Sequence, residues 1–243
     1  MKLFVDGAEL AAIQRLMDSG LCDGVTTNPT ILRKAGVVGL EAMYQRQLEI
    51  ANLIFPLPLS VEVTSDQPDE IRRQIAVYRE KLPQNIMVKI TVSDRDGKSL
   101  LPSIYEAASS GLAVNVTAML NFNQCILAAK CLMNGTAAAQ VAGIKPPPFN
   151  HIVSLFAGRI SEEHGSLEAI QILKDLREWL DVHKSPIEII CASVRTPENV
   201  SDWAKSGAHI LTVPPAVLEK CLYSARSKET VVQFLNDAKE ALE

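Results

Sequence analysis

The sequence predicts an α/β fold: a single (β/α)8 TIM barrel spanning residues 1–243, with an additional C-terminal helix over about residues 229–243. Eight short β-rich runs alternate with stretches of helical periodicity, and parallel strands need such crossovers of a dozen or more residues. Eight units in 243 residues fit one barrel. A doubly wound open sheet is the rival fold, but no G-x-G-x-x-G or G-x-x-x-x-G-K-[ST] motif follows any strand.

The predicted strands alternate along the whole chain without an intervening linker or low-complexity segment. In chain order they are Leu3–Asp6, Gly24–Asn28, Leu57–Thr64, Ile86–Thr91, Ala113–Ala118, Ile152–Phe156, Ile187–Val194 and His209–Val213.

Apolar residues at helical spacing mark several of the connecting segments, and Gly or Pro residues bound them. The clearest stripes are Leu10, Ile13 and Met17 before Gly20; Ile71, Ile75 and Tyr78 behind Asp66-Gln67-Pro68; Leu100, Leu101, Ile104 and Ala108 before Gly111; and Val231, Phe234, Ala238 and Leu242 within Glu229–Glu243. The last stripe has two possible partners, the chain's own barrel or a neighbouring subunit.

Composition excludes several functional classes. The net charge of -4 and the absence of a basic run disfavour nucleic acid as a partner. No apolar run approaches the roughly 18 residues of a membrane span, and Met1–Asp6 lacks a signal-peptide pattern, so we expect a cytoplasmic protein with no membrane partner. The five cysteines and four histidines match no disulfide framework and no metal-ligand spacing, which favours chemistry without a metal.

Polar residues alternate with apolar ones on the middle strands. Side chains two apart share a face of a strand, and the outward face of a barrel must be apolar because helices cover it. The polar set should therefore point into the barrel, near the carboxyl ends of the strands where barrel active sites lie. This set comprises Ser60, Glu62, Thr64, Lys89, Thr91, Asn115, Thr117 and Ser154.

Lys89 is the most informative of these residues, because its neighbours in Ile86–Ile90 are apolar. Burial disfavours the protonated amine, and a neutral amine can form a Schiff base with a carbonyl substrate. A structural lysine paired with an inward carboxylate, Glu62 or Asp6, is an equally good interpretation from spacing alone.

Acid–base groups accompany this lysine. Schiff-base aldol chemistry needs several proton transfers, which the inward acids Asp6 and Glu62 can serve, and Thr117 can hold a water on the same rim. An ion-paired barrel residue is the alternative for Glu62. Asn28 can bind a substrate hydroxyl or carbonyl, or serve only the turn before Pro29.

Arg159, Ser193 and Arg195 lie at the ends of the sixth and seventh strands. Guanidinium forks and hydroxyls bind phosphate, and barrels often place such a site on their late loops. A lone arginine at such a position would more often form a surface salt bridge. The grouping favours a phosphorylated substrate.

Together these segments resemble the transaldolase family of Schiff-base-forming barrels, in the family's order and across nearly the whole chain. The residues that carry the resemblance are Gly24-Val25-Thr26-Thr27-Asn28-Pro29-Thr30, Val88-Lys89-Ile90, Asn115-Val116-Thr117, Ser154-Leu155-Phe156-Ala157-Gly158-Arg159-Ile160 and Ala192-Ser193-Val194-Arg195.

The resemblance implies transfer of a dihydroxyacetone unit from a ketose phosphate to an aldose phosphate, as in the pentose phosphate pathway, without a cofactor. By resemblance Lys89 is the Schiff-base lysine, Asp6 assists carbon–carbon cleavage, and Glu62 with Thr117 handles the catalytic water. Family members form dimers or larger rings, so a homo-oligomer is expected. The implied substrate-binding residues are Thr27, Asn28, Asn115, Ser154 and Phe156, and the implied phosphate-binding residues are Arg159, Ser193 and Arg195.

Fructose-6-phosphate aldolases of the same family, which release free dihydroxyacetone, are the main alternative. They resemble this chain in length, but typically carry Gln at the Glu62 position and Tyr at the Phe156 position. The two site residues favour transaldolase.

The chain departs from the family pattern at Thr30, where Ser is usual, and in a longer Lys145–Asn150 loop. This loop is expected to reshape either the rim near the phosphate site or a subunit contact. A silent sugar-phosphate-binding barrel would need a broken site, and no motif position is broken.

Overall fold

A closed barrel of eight parallel strands forms the centre of the protein in the computed structural model, which describes residues 1–242. The strands pair in sequence order and β8 closes on β1, so the predicted (β/α)8 fold is confirmed. The strands are β1 Lys2–Asp6, β2 Gly24–Thr26, β3 Leu59–Glu62, β4 Ile86–Thr91, β5 Val114–Met119, β6 Ile152–Leu155, β7 Glu188–Cys191 and β8 Ile210–Val213.

Helices cover the outside of the barrel and extend past it at the C-terminal end of the chain. Among residues 1–242, no helix combines the length and apolar composition that crossing a bilayer requires. The helices are α1 Leu10–Asp18, α2 Pro29–Lys34, α3 Leu40–Ile54, α4 Pro68–Lys81, α5 Leu101–Ser109, α6 Phe122–Val141, α7 Ala157–His164, α8 Ser166–Val182, α9 Pro197–Ala204, α10 Pro215–Leu222 and α11 Ala225–Leu242.

The barrel interior is divided into an apolar and a polar half. Alternation along the strands sends Val61, Val88 and Val116 outward into the core shared with the helices. A separate apolar cluster fills the amino-terminal half of the interior and reaches the carboxyl-terminal end at Ala192, directly after β7, whereas the rest of the carboxyl-terminal half holds buried polar side chains. The inner apolar cluster comprises Phe4, Met87, Ala113, Ile152, Ile190, Ala192 and Ile210.

Two strands end earlier than predicted, because side-chain hydrogen bonds involve the residues that would extend them. β2 ends at Thr26 because Asn28 is the N-cap of α2, and its side-chain oxygen accepts from the Ile31 amide at 2.9 Å. β3 ends at Glu62, and Thr64 does not point into the barrel. The Thr64 amide and hydroxyl instead bond to the side chain of Gln74 on α4, each at 2.8 Å.

The Lys145–Asn150 segment is a loop that leads into β6 and therefore lies at the amino-terminal end of the barrel. Part of it lines a small cavity of about 340 Å³ with Arg79 and Gly111. The expectation that this loop reshapes the phosphate-site rim is wrong, because the rim lies at the opposite end of the strands.

The C-terminal helix α11 begins at Ala225, four residues before its predicted start, and the predicted last residue, Glu243, lies outside the described residues. None of the residues of α11 that the structure describes is buried. Phe234 and Leu235 expose 65% and 66% of their surface, so the apolar stripe does not pack into the core of its own barrel.

We predict that Gly24→Ala destabilises the barrel. A Cβ built on Gly24 lies 2.7 Å from Phe4 Cζ in the inner apolar cluster, so the ring must move. Overpacking of this kind costs about 1–3 kcal/mol in the free energy of unfolding, measurable by chemical denaturation. Adding Phe4→Leu should recover part of the loss. Gly7→Ala is the matched control, since its Cβ meets ordinary contacts of 3.6 Å or more. A Gly24→Ala protein as stable as the Gly7→Ala protein would contradict this packing.

Candidate active site

An open cavity of about 800 Å³ lies at the carboxyl ends of the strands. Ten of the twelve residues predicted for the site line it, whereas Thr27 and Asn115 lie behind the lining. The ten are Asp6, Asn28, Glu62, Lys89, Thr117, Ser154, Phe156, Arg159, Ser193 and Arg195.

Lys89 and Glu62 form an ion pair inside the barrel, with Lys89 Nζ 3.0 Å from Glu62 Oε2. The β3–β4 register places these two residues directly opposite each other. Lys89 is only 5% exposed, and its ammonium also donates to the Thr27 carbonyl at 3.3 Å. The hydroxyl of Tyr78, on α4, donates to the Glu62 carbonyl at 3.0 Å and fixes the end of β3. The amine is therefore buried, paired and open to the cavity.

Asp6 faces the same cavity from β1. Burial raises the pKa of this carboxyl above its ordinary value, and the Lys89 ammonium and the Thr26 hydroxyl oppose the rise. The Thr26 hydroxyl donates to Asp6 Oδ1 at 2.8 Å and contacts the Thr212 hydroxyl on β8. Both threonines line the cavity, and neither was predicted as a site residue. Alternation on β2 and β8 was the signal that could have found them.

Two predicted substrate-binding residues have other partners in the structure. The Thr27 hydroxyl donates to the Ser60 carbonyl at 3.0 Å. The Asn115 amide donates to Ser60 Oγ at 3.1 Å and accepts from Ser154 Oγ at 2.7 Å. Asn115 thus orients Ser154, which does line the cavity. Asn28 lines the cavity while its side-chain oxygen caps α2, so the structure gives it the turn role as well.

Thr117 is 1% exposed, and its hydroxyl has no hydrogen-bond partner among the described residues. The pairing of β5 with β6 shifts register between Val116 and Met119, and Ala118 takes a φ of +62°. A bulge of this kind re-aims side chains and is common beside active sites. Thr117 lines the cavity, and no described residue uses the bonding capacity of its buried hydroxyl.

Cationic and polar groups gather where β6 and β7 end. Arg159 stacks on the Phe156 ring at 5.0 Å, and Arg195 Nε lies 3.6 Å from Glu162 Oε1. The N-terminus of α7 packs closely on the loop after β7. Only a glycine fits at position 158, because a Cβ there would lie 1.7 Å from the Ser193 carbonyl oxygen. Ser193 itself takes a φ of +66°. Two guanidinium groups, a hydroxyl and a helix N-terminus suit an anion.

Comparison with known proteins gives one family. A family model described as transaldolase/fructose-6-phosphate aldolase matches residues 3–243. A protein named probable transaldolase from Symbiobacterium thermophilum is 32% identical over 237 residues, covering 98% of this chain and 96% of that protein. One of the same name from Ruegeria sp. is 33% identical over 243 residues, covering 99% and 98%.

Solved structures are similar in fold. N-acetylneuraminate lyase from Mycoplasma synoviae superposes with a TM-score of 0.54 at 10% identity, covering 100% of this chain and 80% of that one. At this identity the likeness extends to the barrel alone.

Proposed function

Because this chain belongs to the transaldolase/fructose-6-phosphate aldolase family, we propose that it is a transaldolase. It transfers a dihydroxyacetone unit from a ketose phosphate, fructose 6-phosphate or sedoheptulose 7-phosphate, to an aldose phosphate, erythrose 4-phosphate or glyceraldehyde 3-phosphate. The observation that carries the proposal is the buried Lys89 amine, paired with Glu62 and open to the cavity.

Imine formation begins when Lys89 passes its proton to Glu62, 3.0 Å away. The neutral amine attacks the C2 carbonyl of the ketose and forms a carbinolamine. The carbinolamine nitrogen loses a proton while its oxygen gains one. The protonated Glu62 then gives its proton to the C2 hydroxyl, which leaves as water, and the nitrogen lone pair forms the protonated imine. The Thr117 hydroxyl binds that water, and its lack of a partner among the described residues supports this role.

Carbon–carbon cleavage follows at the imine. The Asp6 carboxylate takes the proton of the C4 hydroxyl, the C3–C4 bond breaks, and its electron pair moves toward the imine to leave an enamine. An aldose phosphate departs as the C4 aldehyde forms. In the second half-reaction the enamine carbon attacks the acceptor aldehyde, and protonated Asp6 gives its proton to the new alkoxide. Water then adds to C2 of the resulting imine and the C2–N bond breaks, by the reverse of imine formation, which releases the new ketose phosphate and the Lys89 amine. A carboxyl whose pKa is raised by burial can act in both directions.

The substrate phosphate binds at the ends of β6 and β7. Arg159, Ser193 and Arg195 line that part of the cavity, beside the α7 N-terminus. A phosphate held there places the sugar carbons toward Lys89, and Ser154 supplies a hydroxyl to the dihydroxyacetone portion. The phosphate contacts thereby orient the scissile bond.

Glu62 and Phe156 determine whether the enamine reacts with an acceptor or is released as free dihydroxyacetone. A carboxylate and a phenyl ring handle water at the imine differently from the amide and phenol typical of the family's aldolases. Phe156 lines the cavity without a hydroxyl to hold water there. The bound enamine therefore persists until an aldose phosphate arrives.

We predict that release of glyceraldehyde 3-phosphate from fructose 6-phosphate depends on erythrose 4-phosphate. The reason is that the dihydroxyacetone unit stays on Lys89 until an acceptor removes it. A coupled assay with and without the acceptor measures this dependence. Equal release in both reactions would make the protein an aldolase, and no release in either would reject both activities for these substrates.

We predict that Glu62→Gln slows transfer by about 10²-fold, the size of a lost acid–base contribution. Combining it with Phe156→Tyr should raise the release of free dihydroxyacetone, because both water-handling groups then match those of the aldolases. Dihydroxyacetone is measured by enzymatic reduction.

Phe234→Tyr on α11 is the matched control, since it adds the same hydroxyl on an exposed side chain. Unchanged dihydroxyacetone release in the double variant would refute the role assigned to the pair.

A further inference from the structure

Three side chains from adjacent strands form a series of hydrogen bonds in the lining of the cavity. Thr26 Oγ1 lies 2.8 Å from Asp6 Oδ1 and is also in hydrogen-bond contact with Thr212 Oγ1. Thr26 and Thr212 lie on the strands that flank β1 on either side, and each is 2% exposed. The Thr26–Thr212 contact therefore spans β1 where Asp6 leaves it.

The number of hydroxyl protons fixes the donor and the acceptor in each of these hydrogen bonds. An ionised Asp6 only accepts, so the single hydroxyl proton of Thr26 goes to Asp6 Oδ1. Thr26 then has no proton left for Thr212 and accepts one from it. The bonds run from Thr212 to Thr26 to Asp6, and the first polarises the second.

We infer that Thr212 is a positioning residue that acts on Asp6 through Thr26. These hydrogen bonds hold Asp6 Oδ1 as the acceptor of the Thr26 hydroxyl. Asp6 Oδ2 is therefore the oxygen that exchanges a proton with substrate. The inference rests on the proposed function in one respect, the assignment of the C4 hydroxyl proton to Asp6.

The surroundings of Asp6 give the expected direction of change. The charged groups that act on its carboxyl are Lys89 from β4, Glu62 from β3 and Arg195 from the loop after β7. Lys89, Arg195 and the Thr26 hydrogen bond favour the carboxylate, whereas burial and Glu62 favour the protonated acid. Weakening the Thr26 bond therefore raises the pKa of Asp6, and the low-pH limb of kcat moves to higher pH because cleavage needs the carboxylate.

The test uses four substitutions in the full-length protein. Thr212→Val removes the first donor and Thr26→Val removes the second, whereas Thr212→Ser keeps the hydroxyl. Thr230→Val on α11 is the matched control, because its hydroxyl donates to the Arg226 carbonyl within the same helix. Asp6 is titrated by NMR of carboxyl-labelled aspartate in the free protein, and kcat and KM are measured across pH.

Thr212→Val should raise the Asp6 titration midpoint and lower kcat about 3- to 10-fold, the size of one net hydrogen bond, with KM little changed. Thr26→Val should change both further in the same direction, and Thr212→Ser and Thr230→Val should match wild type. In the Thr26→Val background, Thr212→Val should add nothing, because its effect passes through Thr26.

An unmoved Asp6 midpoint in folded Thr212→Val would overturn the inference, as would an effect that persists in the Thr26→Val background. If Thr212→Val does not fold, Thr212→Ala against Thr212→Ser makes the same comparison of the hydroxyl. The titration needs no substrate, so a failed transaldolase assay and a failed positioning role give separate results.

Discussion

The Lys89–Glu62 ion pair is the constraint around which the cavity is organised. Two charges within a barrel need each other, because an unpaired buried charge is strongly unfavourable. The β3–β4 register provides the pairing by setting the two residues opposite each other. Since the Tyr78 hydroxyl holds the Glu62 carbonyl, α4 on the outside of the barrel helps to fix the geometry of the pair on the inside.

The division of the barrel interior follows from the same constraint. Phe4, Met87 and Ile152 fill the amino-terminal half, so the polar groups of the other half rest on a packed apolar layer. Gly24 leaves the space that the Phe4 ring occupies. One half of the interior thus provides stability while the other provides a cavity with a lysine, two acids and hydroxyls at fixed positions. This separation explains how a polar site can lie inside a barrel whose interior is ordinarily apolar.

The fold and most of the site were predictable from the sequence because both depend on alternation. Short β-rich runs separated by helical segments predicted all eight strands, and period-two alternation on the middle strands predicted that Lys89 and Glu62 point inward. Hydrogen bonds between side chains and backbone groups were not predictable. The Gln74 side chain accepts from the Thr64 amide, and Thr64 therefore does not point into the barrel. The commitment of Asn115 to Ser60 and Ser154 depends on distances between strands, which one strand's sequence does not contain.

Other features can be identified only in the three-dimensional structure of the closed barrel. Thr26 and Thr212 are 186 positions apart and meet only because β8 closes on β1. The bulge at Ala118 left no signature in composition, since Ala does not favour positive φ. Of the two roles expected for the Lys145–Asn150 loop, the structure excludes the one at the phosphate-site rim, because a loop that precedes a strand must lie at its amino-terminal end.

Borohydride trapping tests the central proposal, that Lys89 is the nucleophile, most directly. The protein is incubated with fructose 6-phosphate, reduced, digested and analysed by mass spectrometry. We expect a reduced dihydroxyacetone adduct on the peptide that contains Lys89. Lys34 is an exposed lysine that also lines the cavity, and it serves as an internal comparison. An adduct on Lys34, or turnover with an unmodified Lys89 peptide, would contradict the mechanism.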